Sequence, residues 1–153
     1  MPLTLTLREP PIVPLETEGL GPVPYAARGR GEIEALTVWH GNRRAQVADF
    51  FTVSGSGDEE MRVEGDLRRV KFLGAGMDGG RLIVASDAGM HTGAGMRDGE
   101  LIVEGDVGDF AGVGMRGGRL VVKGSAGHHL GGAHPGVRAG MRGGEILIYE
   151  GGR

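Results

Sequence analysis

Histidine is the residue in this sequence best suited to metal binding or proton transfer, because its imidazole titrates near neutral pH and is a common metal ligand. His91, Phe110 and His129 recur at intervals of 19 residues, so a chain that repeats with this period would stack them. Stacked imidazoles could hold a metal ion or pass a proton, with Asp109 as the neighbouring carboxylate. Phe110 can ligate nothing, however. We therefore favour a ladder of rings and predict no metal site.

Other catalytic motifs lack the context that their chemistry needs. Residues 55–57 read GSG without the spacing of a nucleophile elbow, and KGS at 123–125 reverses the order of a P-loop. Residues 74–79 and 112–117 match the dinucleotide fingerprint G-x-G-x-x-G, but each precedes a strand signal and opens no helix. The acids Asp87, Glu104 and Asp106 fall at turn positions, where aspartate is ordinary. We predict no active site in this chain.

The elements that carry these residues repeat four times. The segments read GAGMDGGRLIV from 74, GAGMRDGELIV from 93, GVGMRGGRLVV from 112 and RAGMRGGEILI from 138. Their methionines, at 77, 96, 115 and 141, are 19, 19 and 26 residues apart, so the last interval holds a seven-residue insertion. A fixed period near 20 residues is typical of a solenoid.

Each repeat predicts one β-strand and no helix. Its only apolar run is short, rich in β-branched residues and bounded by glycines. Nineteen residues make a closed circuit that returns each strand beside its equivalent one turn below, so equivalent strands must pair in parallel and in register. The sequence therefore predicts an all-β chain, a parallel β-helix of about 19 residues per turn. Glycines recur at its corners, and the methionines should stack inside.

A partner surface is predicted from the repeat strands. Alternate residues of a strand point to opposite faces, so a run of three apolar residues leaves an apolar column outside whichever face is buried. Continuous apolar strands in parallel sheets are usually covered on both faces, and the cover here would be either the proline-rich residues 8–24 of this chain or another subunit. The insertion before the last repeat is a second contact candidate, because solenoid insertions often bind partners. The hypothetical interface comprises Ile83, Ile102, Val121, Leu147, His128, His129, His134 and Arg138.

Composition narrows the remaining classes. The formal net charge of −3 argues against a nucleic-acid partner, and no apolar run approaches a membrane span. The absence of cysteine excludes disulfides and cysteine-ligated zinc or iron–sulfur clusters in this chain. No signal peptide is recognisable at the N-terminus, so we expect a cytoplasmic protein.

The chain divides into two regions. Residues 1–49 read as an N-terminal arm and cap, with an alternating strand at 3–7, a proline-rich stretch at 8–24 and a hairpin around Gly41 and Asn42. Residues 50–153 read as the β-helix, whose first open end Trp39, Phe50 and Phe51 would cover. The sequence stops directly after the last repeat strand. This ending predicts that the chain is a fragment or that another polypeptide covers that end.

The combined motifs resemble the GXGXG family, whose members are the C subunit of formylmethanofuran dehydrogenase and the C-terminal domain of the glutamate synthase large chain. The closer likeness is to the dehydrogenase C subunit. It rests on VWHGN at 38–42, ADFF at 48–51, VEGDLRRVKFLGAGM at 63–77 and GMHTGAGM at 89–96. The family often has glycine where this chain has Ala48.

This resemblance implies a right-handed β-helix that serves as a non-catalytic subunit. The implied complex is either formylmethanofuran dehydrogenase of methanogenesis or the bacterial formyltransferase/hydrolase complex that releases formate, both of one-carbon metabolism. Its implied partners are the amidohydrolase-like A subunit together with the B and D subunits. Molybdenum or tungsten pterin, iron–sulfur clusters or zinc would lie on those partners, and none on this chain.

Three alternatives stay open. A glutamate-synthase-type interdomain spacer would require a glutaminase domain in the same polypeptide or a neighbouring gene. A solenoid acyltransferase would place an active site around His91 or His129, although its usual hexapeptide period is absent. A free-standing oligomer would cover its open end with a copy of itself.

Overall fold

The computed structural model describes residues 2–9, 11, 15–17, 34–127 and 143–148, and β-strands are the main regular secondary structure among them. The elements in chain order are β1 (Pro2–Leu7), β2 (Leu15–Glu16), β3 (Thr37–His40), β4 (Arg43–Gln46), α1 (Val47–Phe50), β5 (Phe51–Ser54), β6 (Ser56–Glu64), β7 (Val70–Lys71), β8 (Asp78–Val84), β9 (Asp98–Val103), β10 (Arg119–Val122) and β11 (Glu145–Ile148). The predicted all-β class is confirmed.

A seven-stranded sheet holds the repeat strands. Its order is β11-β10-β9-β8-β6-β1-β5, and every pair from β11 to β1 is parallel. Leu101 lies opposite Leu82 on one side and Leu120 on the other, so successive repeats pair at equivalent positions. The parallel, in-register pairing predicted from the 19-residue period is confirmed.

The amino-terminal strand is a member of this sheet. β1 lies between β6, to which it is parallel, and β5, to which it is antiparallel. The alternation of Leu3, Leu5 and Leu7 predicted one apolar face, and all three side chains are buried. The segment that comes first in the chain therefore links the repeat strands to the antiparallel edge of the sheet.

The inward face of the repeat strands carries the first and third residues of each apolar run. Leu82 and Val84 are buried, and so are their equivalents on β9 and β10, whereas Ile83 between them faces outward. Met77, Met96 and Met115 are buried beneath the sheet as predicted, with at most 5% of their surface exposed. Met141 lies outside the described residues.

One corner of the chain has the same geometry in three successive repeats. In the first, the Ala75 amide donates to the Phe72 carbonyl at 3.0 Å and the Met77 amide donates to the Gly74 carbonyl at 3.1 Å. Gly74 has φ +72°, and a Cβ there would lie 2.6 Å from Leu101 Cδ2, so both conformation and space require glycine. The predicted use of glycine at corners is confirmed here.

A four-stranded sheet, ordered β4-β3-β2-β7, holds the predicted hairpin. β3 and β4 are antiparallel and are joined through Gly41, which has φ +64°. Phe51 is buried in the core, but Trp39 is 42% exposed. The guanidinium carbon of Arg44 lies over the Trp39 ring, 5.6 Å from the ring centroid. The predicted cover over the first repeat stays a prediction. None of the described helices has the length and apolar content that a membrane crossing requires.

Candidate functional site

Ile83, Ile102, Val121 and Leu147 form one row across the outer face of the large sheet, and we call them the apolar row. Strand register places each of them beside the next, since β8, β9, β10 and β11 pair without slippage at these positions. Leu147 is 39% exposed, Val121 is buried at 7%, and the other two are intermediate. The row is thus a shallow apolar ridge that is widest open at β11.

A ladder of alternating charges runs along one side of the apolar row. We call it the charge ladder; its members are Glu60, Arg81, Glu100, Arg119 and Glu145. Arg81 Nε lies 2.9 Å from Glu100 Oε1, and Arg119 Nε lies 2.6 Å from Glu145 Oε1. The longer contacts, Arg81 to Glu60 and Arg119 to Glu100, are each 3.9 Å. Opposite charges on facing strands stabilise a sheet modestly and fix its register.

Charged residues also border the row elsewhere: Arg62 lies opposite Ile83 at the β6 end, and Glu64 and Glu104 lie on the other side of the row. Arg62 Nε donates to Glu64 Oε2 at 2.8 Å, and its Nη2 lies 3.5 Å from Glu104 Oε1. The hydrogen bond to Glu64 is the main reason why the pKa of Arg62 is raised above its ordinary value. The apolar row is therefore bordered by charges that are already paired, so the surface offers apolar contact with a polar rim, as protein interfaces do.

Two residues of the predicted column, His91 and Phe110, belong to a stack of rings that also includes Phe72, whereas His129 lies outside the described residues. His91 lies between Phe72 and Phe110, with ring centroids 4.7 and 5.2 Å away and interplanar angles of 6° and 7°. All three residues have positive φ, of 61° to 63°. Phe72 was not recognised in the sequence as part of the column, although it lies one period before His91.

No metal cluster is visible at this stack. Within the described ranges, no group of three or more histidine, aspartate or glutamate side chains lies close enough to share a metal ion. Both neighbours of His91 are phenylalanines, which offer no ligand atom. The stacking geometry therefore favours a ladder of rings over a metal or proton-transfer site at this column.

The second part of the predicted interface falls on the insertion before the last repeat. His128, His129, His134 and Arg138 lie outside the described residues, so their place relative to the apolar row stays a prediction. Of the predicted interface, the structure describes the four strand residues and aligns them in the apolar row. It adds the charge ladder beside them.

A charged corner lies away from this surface, where Pro11, Asp66, Arg68 and Arg69 line a depression of about 580 Å³. Arg68 donates to both carboxylate oxygens of Asp66, at 2.9 and 2.8 Å. These hydrogen bonds lower the pKa of Asp66 from 3.8 to about 2. Asp66 is thereby held ionised by its neighbour, which makes it a poor proton donor or acceptor near neutral pH.

Comparison with known proteins shows which proteins this chain resembles in sequence. No protein-family model matches the chain. The C subunit of the molybdenum-containing formylmethanofuran dehydrogenase 1 of Methanosarcina barkeri is 39% identical over 84 residues, which is 52% of this chain and 28% of that protein. The C subunit of the tungsten-containing formylmethanofuran dehydrogenase 2 of Methanothermobacter thermautotrophicus is 36% identical over 94 residues, which is 58% of this chain and 35% of that protein. Over these stretches the chain is homologous to the C subunits of formylmethanofuran dehydrogenases.

A solved structure extends this likeness to nearly the whole chain. The X-ray structure of the formyltransferase/hydrolase complex of Methylorubrum extorquens with methylofuran contains a chain that matches with a TM-score of 0.89 and 30% identity. The match covers 95% of this chain and 55% of that one. The resemblance to the dehydrogenase C subunit inferred from the sequence is thus confirmed, while the chain spans only about half of the solved relative and less of the curated C-subunit proteins.

Proposed function

We propose that this chain is a non-catalytic scaffold subunit of a formylmethanofuran-handling one-carbon complex. That complex is either a formylmethanofuran dehydrogenase or a formyltransferase/hydrolase complex. The observation that carries the proposal is the match over 95% of the chain to a component of the formyltransferase/hydrolase complex.

The proposed architecture is a right-handed parallel β-helix with an irregular N-terminal region. It is supported by the in-register parallel pairing of β6, β8, β9, β10 and β11. A second line of bonds joins successive repeats at their corners: the Gly76 amide donates to Ala94, and the Gly95 amide donates to Val113, both at 2.8 Å. Repeats tied together at both places would form the stacked turns of a solenoid.

The partners and cofactors of the proposal follow the C-subunit relatives. The partners would be the amidohydrolase-like A subunit together with the B and D subunits, all in the cytoplasm. The curated relatives are subunits of molybdenum- and tungsten-containing enzymes. We assign the metallopterin, any iron–sulfur clusters and any zinc to the partner subunits, because no described part of this chain gathers metal ligands.

Activity measurements test the non-catalytic part of the proposal. The purified chain should show no formyl transfer, formate release or formylmethanofuran oxidation, whereas the assembly isolated from the source organism should show one of them. Adding the chain back to an assembly depleted of it should restore the activity. Turnover by the pure chain would overturn the proposal.

The apolar row is the proposed subunit interface, and it offers a matched test. Leu147→Lys places a charge on the most exposed member of the row and should leave folding intact while it weakens recovery of the partner subunits. Thr52→Lys is the control, since Thr52 is exposed on β5 at the opposite edge of the same sheet. Equal recovery with both variants would exclude the row as an interface.

A further inference from the structure

Two arginines line one shallow groove at the corner of the repeats. Arg97 and Arg116 are both exposed, and with Gly76, Ala94, Gly95 and Gly114 they line a depression of about 300 Å³, which we call the arginine groove. Their amides donate at 2.8 Å to Met77 and Met96 respectively, so the two residues occupy equivalent places on neighbouring repeats. Because β9 and β10 pair in register just beyond these residues, the two arginines lie on neighbouring repeats and both line the groove.

These two charges differ from the other arginines of the repeats in their surroundings. Arg62, Arg81 and Arg119 each form an ion pair with glutamate. Neither the Arg97 nor the Arg116 guanidinium has such a partner among the described residues. Asp98, which follows Arg97, accepts a hydrogen bond from the Gly99 amide at 2.8 Å instead.

The charge ladder gives a useful contrast, because charged residues occur both four residues and one residue after the repeat methionines. Four residues after each repeat methionine the sign alternates, as Arg81, Glu100, Arg119 and Glu145, so each charge meets its opposite. One residue after the methionine the repeats carry Asp78, Arg97 and Arg116, so two like charges occupy equivalent places on neighbouring repeats. Like charges that lie close together repel each other. A local arrangement that opposes folding stability is expected where function requires it.

The groove between the arginines is open because of the backbone beneath it. Gly76, Gly95 and Gly114 have φ of +70°, +65° and +68°, which explains why glycine occurs there. A Cβ at any of them would meet no atom within 4 Å, so the space above the backbone is unoccupied by neighbouring described side chains. A planar group can thus reach the two guanidiniums without displacing any described side chain.

We propose that the arginine groove docks a carboxylate-bearing segment of a partner subunit. Arginine pairs with carboxylates through two parallel hydrogen bonds, and a carboxylate between Arg97 and Arg116 would cancel the repulsion between the two guanidiniums. The groove is distinct from the apolar row, so it adds a second contact of opposite character. This inference rests on the proposed role as a subunit of a larger complex.

The first test removes the charges. Arg97→Ala/Arg116→Ala should lower the apparent affinity for the partner subunits by at least about tenfold, and raising the salt concentration should shrink the difference from wild type. The isolated variant should be at least as stable to urea as wild type, since it loses only a repulsion. Arg43→Ala removes an exposed arginine of the β3–β4 hairpin and should leave the affinity unchanged.

The second test identifies the occupant. Arg97→Lys keeps the charge and introduces an amine, which a carbodiimide couples to an adjacent carboxylate. Cross-linking of the assembled complex should join this lysine to an aspartate, a glutamate or a chain terminus of a partner subunit, whereas Arg43→Lys should give no such link. Links only within this chain would overturn the inference.

The outcomes separate the two proposals. Wild-type chain that recovers no partner subunit overturns both the scaffold role and the groove. Wild-type chain that recovers its partners, together with a double variant that recovers them equally well, overturns the groove alone. A third outcome is that inorganic phosphate lowers the affinity of the wild-type chain for its partners as much as the double substitution does, while no cross-link to a partner forms. This outcome would show a small-anion site and would also overturn the docking proposal.

Discussion

At the scale of single residues, a stack of rings stabilises the corners of the repeats; its members are Phe72, His91 and Phe110. Each adopts positive φ, which costs an ordinary L-residue roughly 1–2 kcal/mol. Each ring also stacks on its neighbour, and such aromatic pairs contribute about 0.5–1.5 kcal/mol beyond the area that they bury. The two effects are of similar size. Stacking therefore offsets the strain that the corner imposes, and a ring at this position is useful without any ligand.

Substitution of His91 separates the two effects. His91→Phe should change the free energy of unfolding by less than about 0.5 kcal/mol, because the ring stack persists. His91→Asn keeps a residue that tolerates positive φ but removes both ring contacts, and should cost about 1–3 kcal/mol. Urea unfolding of the two variants measures the difference. Equal losses in both would contradict the ring-ladder explanation.

The pair Asp66 and Arg68 gives a prediction about protonation. Arg68 lowers the pKa of Asp66 from 3.8 to about 2, so the pair stabilises the fold above roughly pH 4 and loses that contribution as the pH falls toward 2. Arg68→Ala should return the Asp66 pKa toward 3.8, as measured by NMR titration of the side-chain carboxyl group. A titration midpoint that stays near 2 in the variant would show that Arg68 is not the cause.

At the scale of elements, the large sheet depends on two columns with different roles. Leu82, Leu101 and Leu120 align on the buried face, while the charge ladder aligns on the outer face of the same strands. Because side chains alternate with a period of two, a shift of one residue would bury the charges and expose the leucines. The ladder therefore reinforces the register that the core already requires.

Reversal of one charge tests the ladder. Glu100→Arg places a third arginine between Arg81 and Arg119 and should lower the free energy of unfolding by about 1–2 kcal/mol in low salt. Glu100→Gln, the neutral control, should cost less than about 1 kcal/mol. Thermal unfolding in dilute buffer and in about 1 M sodium chloride checks the cause, since salt screens exposed charges. A penalty that does not respond to salt would point to packing instead.

The repeat elements were predictable because their spacing is regular, and the exceptions have physical reasons. The 19-residue period determined the parallel register, whereas the charge ladder was not recognised, although its signs alternate four residues after each methionine. The place of β1 between β5 and β6 could not be predicted, since alternating leucines indicate a buried face but not the neighbouring strand. Helix α1 has only four residues, too few for a periodic signal, and is marked by the Gln46 amide donating to Asp49 Oδ2 at 2.8 Å.

The candidate site was partly predictable for the same reasons. Strand alternation identified the apolar row, but only the burial of Leu82 and Val84 showed that Ile83 belongs to the outer face. Phe72 was missed because it precedes the first methionine repeat. The arginine groove depends on which side chains find a counter-charge, and that requires the three-dimensional neighbours of each residue.

At the scale of the whole molecule, the described part of the chain is built mainly on two β-sheets. The apolar row and the arginine groove are two chemically different surfaces, and we propose both as contacts with partner subunits. The stretch matched to the curated C-subunit proteins covers 28% and 35% of two of them, so their partners and reactions are proposals for this chain.

The most direct test of the scaffold role is the mass of the native assembly that contains this chain, purified from its source under mild conditions, with every co-purifying polypeptide identified. We predict recovery with an amidohydrolase-like polypeptide and with either a formyltransferase or a metallopterin-binding polypeptide, which would also distinguish the two kinds of complex. Recovery as a lone monomer or as a homo-oligomer would contradict the scaffold role.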